Sequence, residues 1–337
     1  MSKVLSLIVP CYNSAAYLER CVNSLVVGGE AVEIILVDDG STDSTGKIID
    51  SYAKKFPNLI KPLHEKNAGH GGAINNALKY ATGTYLKVVD SDDWLDFRAL
   101  QEVLEFLTQA KATGQLPDLL LCNYLYDKVG AKHKKLVNFT RLPKNQIFGW
   151  KQLKMHPGQY MMLHAVIFKT EVLRLSQVKL PEKVSYDDNI LVYEPLKYVH
   201  SFYYLNIDLY HYFIGREDQS VNEQVMLRKI DQQLLINKRM IYFFAKEVDH
   251  QADYAPYLKY YLEIITTISS VILIRGKKRE YLMKKRQLWN DLRRLDYPLY
   301  HSLRRRPFGQ LINLPGWGGR KFVSAVYMLV HKLYGFN

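Results

Sequence analysis

Four short apolar runs in the first 125 residues each end in a cluster of polar, turn-forming residues. Val4–Pro10 runs into Tyr12-Asn13, and Val32–Val37 into Asp38-Asp39-Gly40-Ser41. Leu59–Leu63 leads to Asn67 through Gly72, and Tyr85–Val89 to Asp90-Ser91-Asp92-Asp93. Between them lie segments with apolar residues at helical spacing: Ala15–Val27, Ser44–Lys55, Gly72–Tyr80 and Phe97–Ala112. Leu119–Tyr126 closes the series as a further strand. Ser41 and Asp43 are placed to cap the second helix. Repeated units of this kind predict an α/β fold, a mostly parallel Rossmann-like sheet flanked by helices. Ligands of such sheets bind beyond the carboxyl ends of the strands. The four clusters are therefore expected to line one site.

Farther on, the pattern changes twice. From about Lys128 to Leu153 it reads as loops, and His156 to Arg216 contains strand-like apolar runs around Tyr186-Asp187-Asp188. Beyond Gly215-Arg216 come long helical patterns, Val225–Val248 and Tyr254–Ile274. A domain boundary is expected near residue 220. It divides a 1–220 domain (nucleotide half about 1–125, acceptor half about 126–220) from a helical 221–337 region, basic from 275.

Each cluster has a chemical reading beside a structural one. Asp90 and Asp92, one residue apart in a loop, can converge on a hard divalent cation and a ribose hydroxyl, or cap the following helix. Asp38-Asp39 offers a carboxylate that can accept from the N3–H of a uracil ring, with Gly40 giving the backbone room to turn. Asn67 to Gly72 opens a helix whose N–H groups favour a diphosphate; glycine-rich turns also occur as simple tight turns.

Taken in order, VLSLIVPCYNSAAYLERCVNSL, EIILVDDGSTDST, NAGHGGAINNALKYATGTYLKVVDSDDW and the later YDDN resemble the inverting family-2 glycosyltransferases of the GT-A fold, in particular those that build bacterial surface polysaccharides. The likeness is strong over about residues 3–97 and looser to about 220. It implies a UDP-sugar donor, with Asp39 on the uracil and Pro10, Tyr12 and Asn67 bordering the nucleoside. Asp90 is expected near the ribose, and Asp38, Gly69, His70 and Ser91 among the further nucleotide-sugar contacts. Asp92 would bind Mn²⁺ or Mg²⁺ on the diphosphate. By position, Asp188 of Tyr186-Asp187-Asp188-Asn189 matches the general base, which takes the acceptor hydroxyl's proton as it attacks opposite UDP. One base and one metal-held leaving group give inversion in a single displacement.

Two departures shape this expectation. Many relatives carry an arginine after the glycine-rich turn, where this chain has Ile74. Arg216 is the expected substitute for its charge, with His211 as an added metal contact; an ion pair from Arg216 to Glu217 or Asp218 is the alternative. No Gln-x-x-Arg-Trp motif of processive synthases occurs, which favours one sugar per encounter. Acceptor choice is expected to rest between Leu119 and Arg216, on residues such as Trp150, His156 and His164.

Charge adds a partner. The chain's formal net charge is +13, and residues 275–337 hold 15 Lys+Arg against 3 acidic residues. This basic tail, interleaved with aromatic and aliphatic residues, suits an anionic membrane surface and hence a saccharide or lipid-linked acceptor. The alternative is a solvated charged face. Cys11, Cys21 and Cys122 show neither disulfide nor zinc spacing. No signal peptide and no span of roughly 20 apolar residues is read, the nearest run being Ile264–Ile274. The expected place is the cytoplasm, peripheral on the inner face of the membrane. Apolar faces on Val225–Ile274 are available for a homodimer. A sugar-phosphate nucleotidyltransferase would need a triphosphate loop that Pro10-Cys-Tyr-Asn13 is not. A nucleic-acid-binding protein leaves the aspartate clusters unexplained, and no nucleic-acid partner is expected.

Overall fold

The apolar runs become strands, those of Leu5–Cys11, Val32–Asp38 and Tyr85–Val88 buried on both faces and that of Ile60–His64 partly open, and the spaced segments become their covering helices. The computed structural model describes residues 3–128, 130, 134–215, 219 and 222–334, without the side chains of 330–334. The chain forms two units, residues 1–214 and 215–337.

The first unit runs β1 (Leu5–Cys11), α1 (Leu18–Val26), β2 (Val32–Asp38), α2 (Thr45–Lys55), β3 (Ile60–His64), α3 (Gly69–Leu78) and β4 (Tyr85–Val88). It continues through β5 (Trp94–Leu95), α4 (Phe97–Thr113), β6 (Leu119–Lys128), β7 (Lys135–Val137) and β8 (Ile147–Phe148). Last come β9 (Val166–Lys169), α5 (Thr170–Ser176), α6 (Asp188–Tyr193) and β10 (Phe202–Ile214). The sheet order is β3-β2-β1-β4-β9-β6-β10-β5, with β7 beside β6 and β8 beside β10. β1, β2, β3 and β4 are parallel neighbours, as are β6 and β10. β9 enters antiparallel to both β4 and β6. The register sets Cys11 beside Asp38 and Asp38 beside His64, so the polar clusters leave the sheet on one edge.

Local chemistry explains the element ends. Asp96 caps α4, accepting from the N–H groups of Arg98 (2.9 Å) and Ala99 (3.0 Å). The aspartates of the preceding loop are thus not that helix's cap. Gly114 closes α4 at φ +72°. Asp43 holds the start of α2 through the Thr45 N–H (2.9 Å), as expected. Ser41 instead accepts from the N–H of Asn13 and joins two loops. The chain at Tyr186–Asp188 turns and then enters α6; it is not the strand-like run that its apolar neighbours suggest. The strands of that region are β9 and β10.

The second unit is α7 (Glu223–Arg228), α8 (Ile230–Glu247), α9 (Ala255–Arg275), α10 (Arg279–Leu295), α11 (Tyr297–Arg305), α12 (Pro307–Ile312) and α13 (Gly316–Tyr334). α9 is longer than the apolar run read from sequence, and by length and composition alone it could cross a membrane. Inside this unit it is the core helix, with 78% of its apolar window buried. Its polar residues are paired there: Ser269 with Gln233 (3.1 Å), Thr266 with Asn237 (3.0 Å) and Ser270 with the Trp289 indole (3.1 Å). Much of the basic tail is engaged as well: Arg275 pairs with Glu223, Lys284 with Asp231 and Arg306 with Glu263. One face of α13 stays open, exposing Trp317, Phe322, Met328 and Leu329, with Lys321 stacked on the Trp317 ring at 3.7 Å.

Candidate active site

The edge of the sheet where β1, β2, β3 and β4 end carries the four clusters side by side. Pro10 is buried in β1, while Tyr12, just past it, is 53% exposed and free to present its ring to a planar ligand. The carboxylate of Asp38 accepts from the Ser41 N–H (3.0 Å) and faces His64 Nδ1 (3.2 Å), which ties β2 to β3. Asp39 accepts from the N–H groups of Ala68 (2.6 Å) and Gly69 (2.9 Å). The glycine-rich turn was expected to offer those donors to a diphosphate; they already hold Asp39. Asn67 donates from its side chain to the Asp39 carbonyl (3.0 Å) and closes the same turn. Gly69 sits at φ +79°, and a Cβ there would lie 2.7 Å from the Lys183 nitrogen. Its place is a close backbone approach.

The loop after β4 gathers most of the charge. Ser91 Oγ lies 2.6 Å from Ser14 Oγ, joining this loop to the one after β1. Asp93 is fully buried; it accepts from the Tyr210 hydroxyl (2.6 Å) and the Phe213 N–H (2.7 Å) of β10. Burial, with repulsion from Asp92 and Asp90, pushes its carboxyl well above the usual range. Beneath lies Lys87, buried in β4 and donating to the carbonyls of His164 (2.8 Å) and Val166 (3.3 Å). Burial brings this amine down to about 8.

A metal-type cluster is present among the described residues: Asp90, Asp93 and His164, whose ligand atoms lie within 4.8 Å of one another. His164 stacks on Tyr212 at 4.0 Å, and burial lowers its pKa to about 4, so its imidazole is neutral and able to ligate. Its Nε2 is 3.9 Å from Asp90 and 4.0 Å from Asp93, and its Nδ1 lacks a hydrogen-bond partner. Two carboxylates and an imidazole suit a divalent ion of the Mn²⁺ type. The expected pair, Asp92 and His211, is not in this cluster. Asp92 is the half-buried carboxylate two residues past Asp90. His211 pairs in register with Trp94 and stacks on it at 4.9 Å, with Nδ1 3.3 Å from both Asp127 and Lys134. Burial and the Lys134 charge lower its pKa.

The turn that carries Asp187 and Asp188 lies against α3. Tyr186 is held at φ +69°, an unusual conformation for an aromatic residue, immediately before the acidic pair. Asp187 is 2% exposed, whereas Asp188 at the start of α6 is half-buried. Burial first, then the neighbouring Asp187 charge, raises Asp188 to about 7. The Asn189 side chain donates to the Asp188 carboxylate (3.2 Å). Between this turn and the loop after β4 stands His70, with Nδ1 3.0 Å from Asp187 and Nε2 3.2 Å from Asp90. Burial opposes its charge, but the two aspartates hold its pKa well above the usual value. The same His70 bond draws Asp90 below the carboxylate range against the effect of burial.

Other expected residues have other partners. Trp150 donates from its indole to the Val199 carbonyl (2.7 Å) and packs on Phe202, while His156 meets Thr140 (2.9 Å). Arg216 lies outside the described residues. Ile74 is fully buried. The sequence reading passed over Lys87, whose signal was a lysine in an otherwise apolar strand, and over Asp93, which stood in the acidic cluster without an assigned role.

Residues 6–169 match the model for glycosyl transferase family 2. That stretch is a family 2 glycosyltransferase domain. The glycosyltransferase domain is 35% identical over 120 residues to the putative glycosyltransferase EpsH of Bacillus subtilis (strain 168), an alignment that covers 35% of this chain and 33% of that protein. The chain thus spans about a third of the curated relative. Crystallised S. aureus TarS 1-349 in complex with UDP-GlcNAc has a like fold, with TM-score 0.66 and 21% identity over 97% of this chain and 92% of that one. The mannosyltransferase PcManGT of Pyrobaculum calidifontis, in complex with GDP-Man and Mn²⁺, matches at TM-score 0.52 and 15% identity over 100% and 89%. At these identities both solved structures speak for the fold. It is the GT-A arrangement: a mixed, mostly parallel sheet flanked by helices, with a helical C-terminal region.

Proposed function

We propose that this chain is an inverting, metal-dependent glycosyltransferase. It moves one hexose or N-acetylhexosamine per encounter from a UDP-sugar to a saccharide or lipid-linked acceptor in cell-surface polysaccharide synthesis. The observation that carries this reading is a carboxyl group raised to about 7, Asp188, on a turn tied through Asp187 and His70 to the aspartate loop after β4. A general base works best with its pKa near the working pH.

In this mechanism Tyr12 and Asn67 border the nucleoside, Asp39 accepts from the uracil N3–H with its remaining lone pairs, and Asp90 meets the ribose. Asp188 takes the proton of the acceptor hydroxyl as that oxygen attacks the anomeric carbon. Asp90 and Asp92, the pair in the loop after β4 that the family resemblance points to, would hold Mn²⁺ or Mg²⁺. Bound there, such an ion would offset the negative charge that develops on the departing diphosphate. The open face of α13 and the basic tail would seat the enzyme on the inner face of an anionic membrane, where a lipid-linked acceptor resides.

Calorimetric titration with UDP, with and without Mn²⁺, tests the donor assignment. Wild type should bind UDP in a metal-dependent way, and Asp92→Ala should lose the metal-dependent part. Binding of GDP in place of UDP, or of neither, would refute it. Loss in His164→Gln with Asp92→Ala unaffected would move the ion to the Asp90–Asp93–His164 cluster.

A further inference from the structure

We propose that His70 is a positioning residue that couples the donor side of the site to its catalytic base. The proposal rests on the active-site reading above. The imidazole stands between two carboxylates on different segments, Asp187 Oδ2 at 3.0 Å and Asp90 Oδ1 at 3.2 Å. Asp187 is almost wholly buried, so its contribution is to fix the turn from which Asp188 begins α6. Moving Asp187 moves Asp188.

The surroundings are built for this contact. The Asn75 side chain donates to the Leu180 carbonyl and accepts the Leu180 N–H, both at 2.9 Å. The Lys183 N–H donates to the Ala68 carbonyl at 2.8 Å. At Gly71 a Cβ would sit 2.6 Å from the Pro181 carbonyl oxygen and 2.8 Å from Asp187 Oδ2. The first turn of α3 is therefore the platform on which residues 180–187 lie. Position 74, where the family resemblance places an arginine, is a buried isoleucine. The polar side chain that α3 turns toward the carboxylates comes one helical turn earlier, at position 70. Loss of this bridge should leave nucleotide binding in place and misplace the base, which can cost about 10²-fold in rate.

The test uses UDP and UDP-GlcNAc as probes with Mn²⁺. His70→Ala should bind UDP only a few-fold more weakly, the effect of one lost Asp90 contact, yet transfer GlcNAc from UDP-GlcNAc to water, releasing UDP, with kcat lowered about 10²-fold. His70→Gln, which keeps a donor for one carboxylate, should recover part of that loss. The double variant His70→Ala/Asp187→Asn should be no slower than the slower single variant. Weakened UDP binding with unchanged kcat would make His70 a donor contact and overturn the proposal, as would losses that multiply. Should wild type itself ignore UDP, the donor assignment falls. The bridge is then read from the same double-mutant cycle in urea unfolding, joined to hydrogen exchange at residues 183–191. Zero coupling there, with exchange unchanged, overturns it.

Discussion

Asp188 and His164 have proton affinities pushed in opposite directions by the same cause. Burial raises the carboxyl to about 7 and lowers the imidazole to about 4. Near pH 7, the first is poised to exchange a proton and the second is neutral. The sign of the rate dependence follows. As the proposed base Asp188 would act as its carboxylate, so on that proposal UDP release should be slow below pH 7, rise through about 7, and level off above it. A limb that falls with rising pH in that window would identify an acid instead. Asp188→Asn should lower kcat by about 10²–10⁴-fold while calorimetric UDP binding persists. Equal loss of binding would make Asp188 a nucleotide contact. These two residues also mark how far the sequence could be read. The family resemblance singled out Asp188 by position, whereas His164 was one histidine among five in the acceptor half, residues 126–220. Nothing in its neighbours along the chain signals that Tyr210 and Tyr212 enclose it.

At the scale of elements, the first four βα units were legible because apolar strands buried on both faces and amphipathic helices write different periods into the chain. Three features escaped. β5 is two residues long and β9 four, too short to establish a period. α6 is six residues, under two turns, and its start is acidic while the rest is apolar, which mimics a strand. The role of α3 was misplaced: its glycines admit residues 180–187, and its first N–H groups hold Asp39. Gly71→Ala tests this placement. Its new methyl would press on the Pro181 carbonyl and on Asp187, with an expected cost of about 1–3 kcal/mol in urea unfolding together with a fall in kcat. Wild-type stability and rate in this variant would mean that the segment is not seated on α3.

At the scale of the whole molecule, the two units divide the charge. The excess of cations belongs to residues 275–337, yet ion pairs within the helical unit consume several of them, so the membrane reading depends on what stays exposed. Trp317, Phe322, Met328 and Leu329 do, beside Lys321. Co-sedimentation should therefore show binding to vesicles containing phosphatidylglycerol and little to pure phosphatidylcholine, weakening as salt is added. Trp317→Ala/Phe322→Ala should reduce it further at fixed charge. Binding that ignores both lipid charge and this pair would leave α13 without a membrane role.

The insertion of β9 between β4 and β6 has a consequence for the order in which the protein is made. Asp93 leaves the ribosome 117 residues before Tyr210, whose hydroxyl it accepts and whose strand holds its loop. The β3-β2-β1-β4 ribbon can assemble early, but the aspartate loop at its edge has no wall until β9 and then β10 emerge. Forming those distant contacts is a slow step for any chain. A nascent chain stalled before β10 holds every donor-side aspartate of the site but has no fixed geometry for them. A fragment that ends before Phe202 should accordingly be inert, because Asp93 then lacks both of its β10 partners.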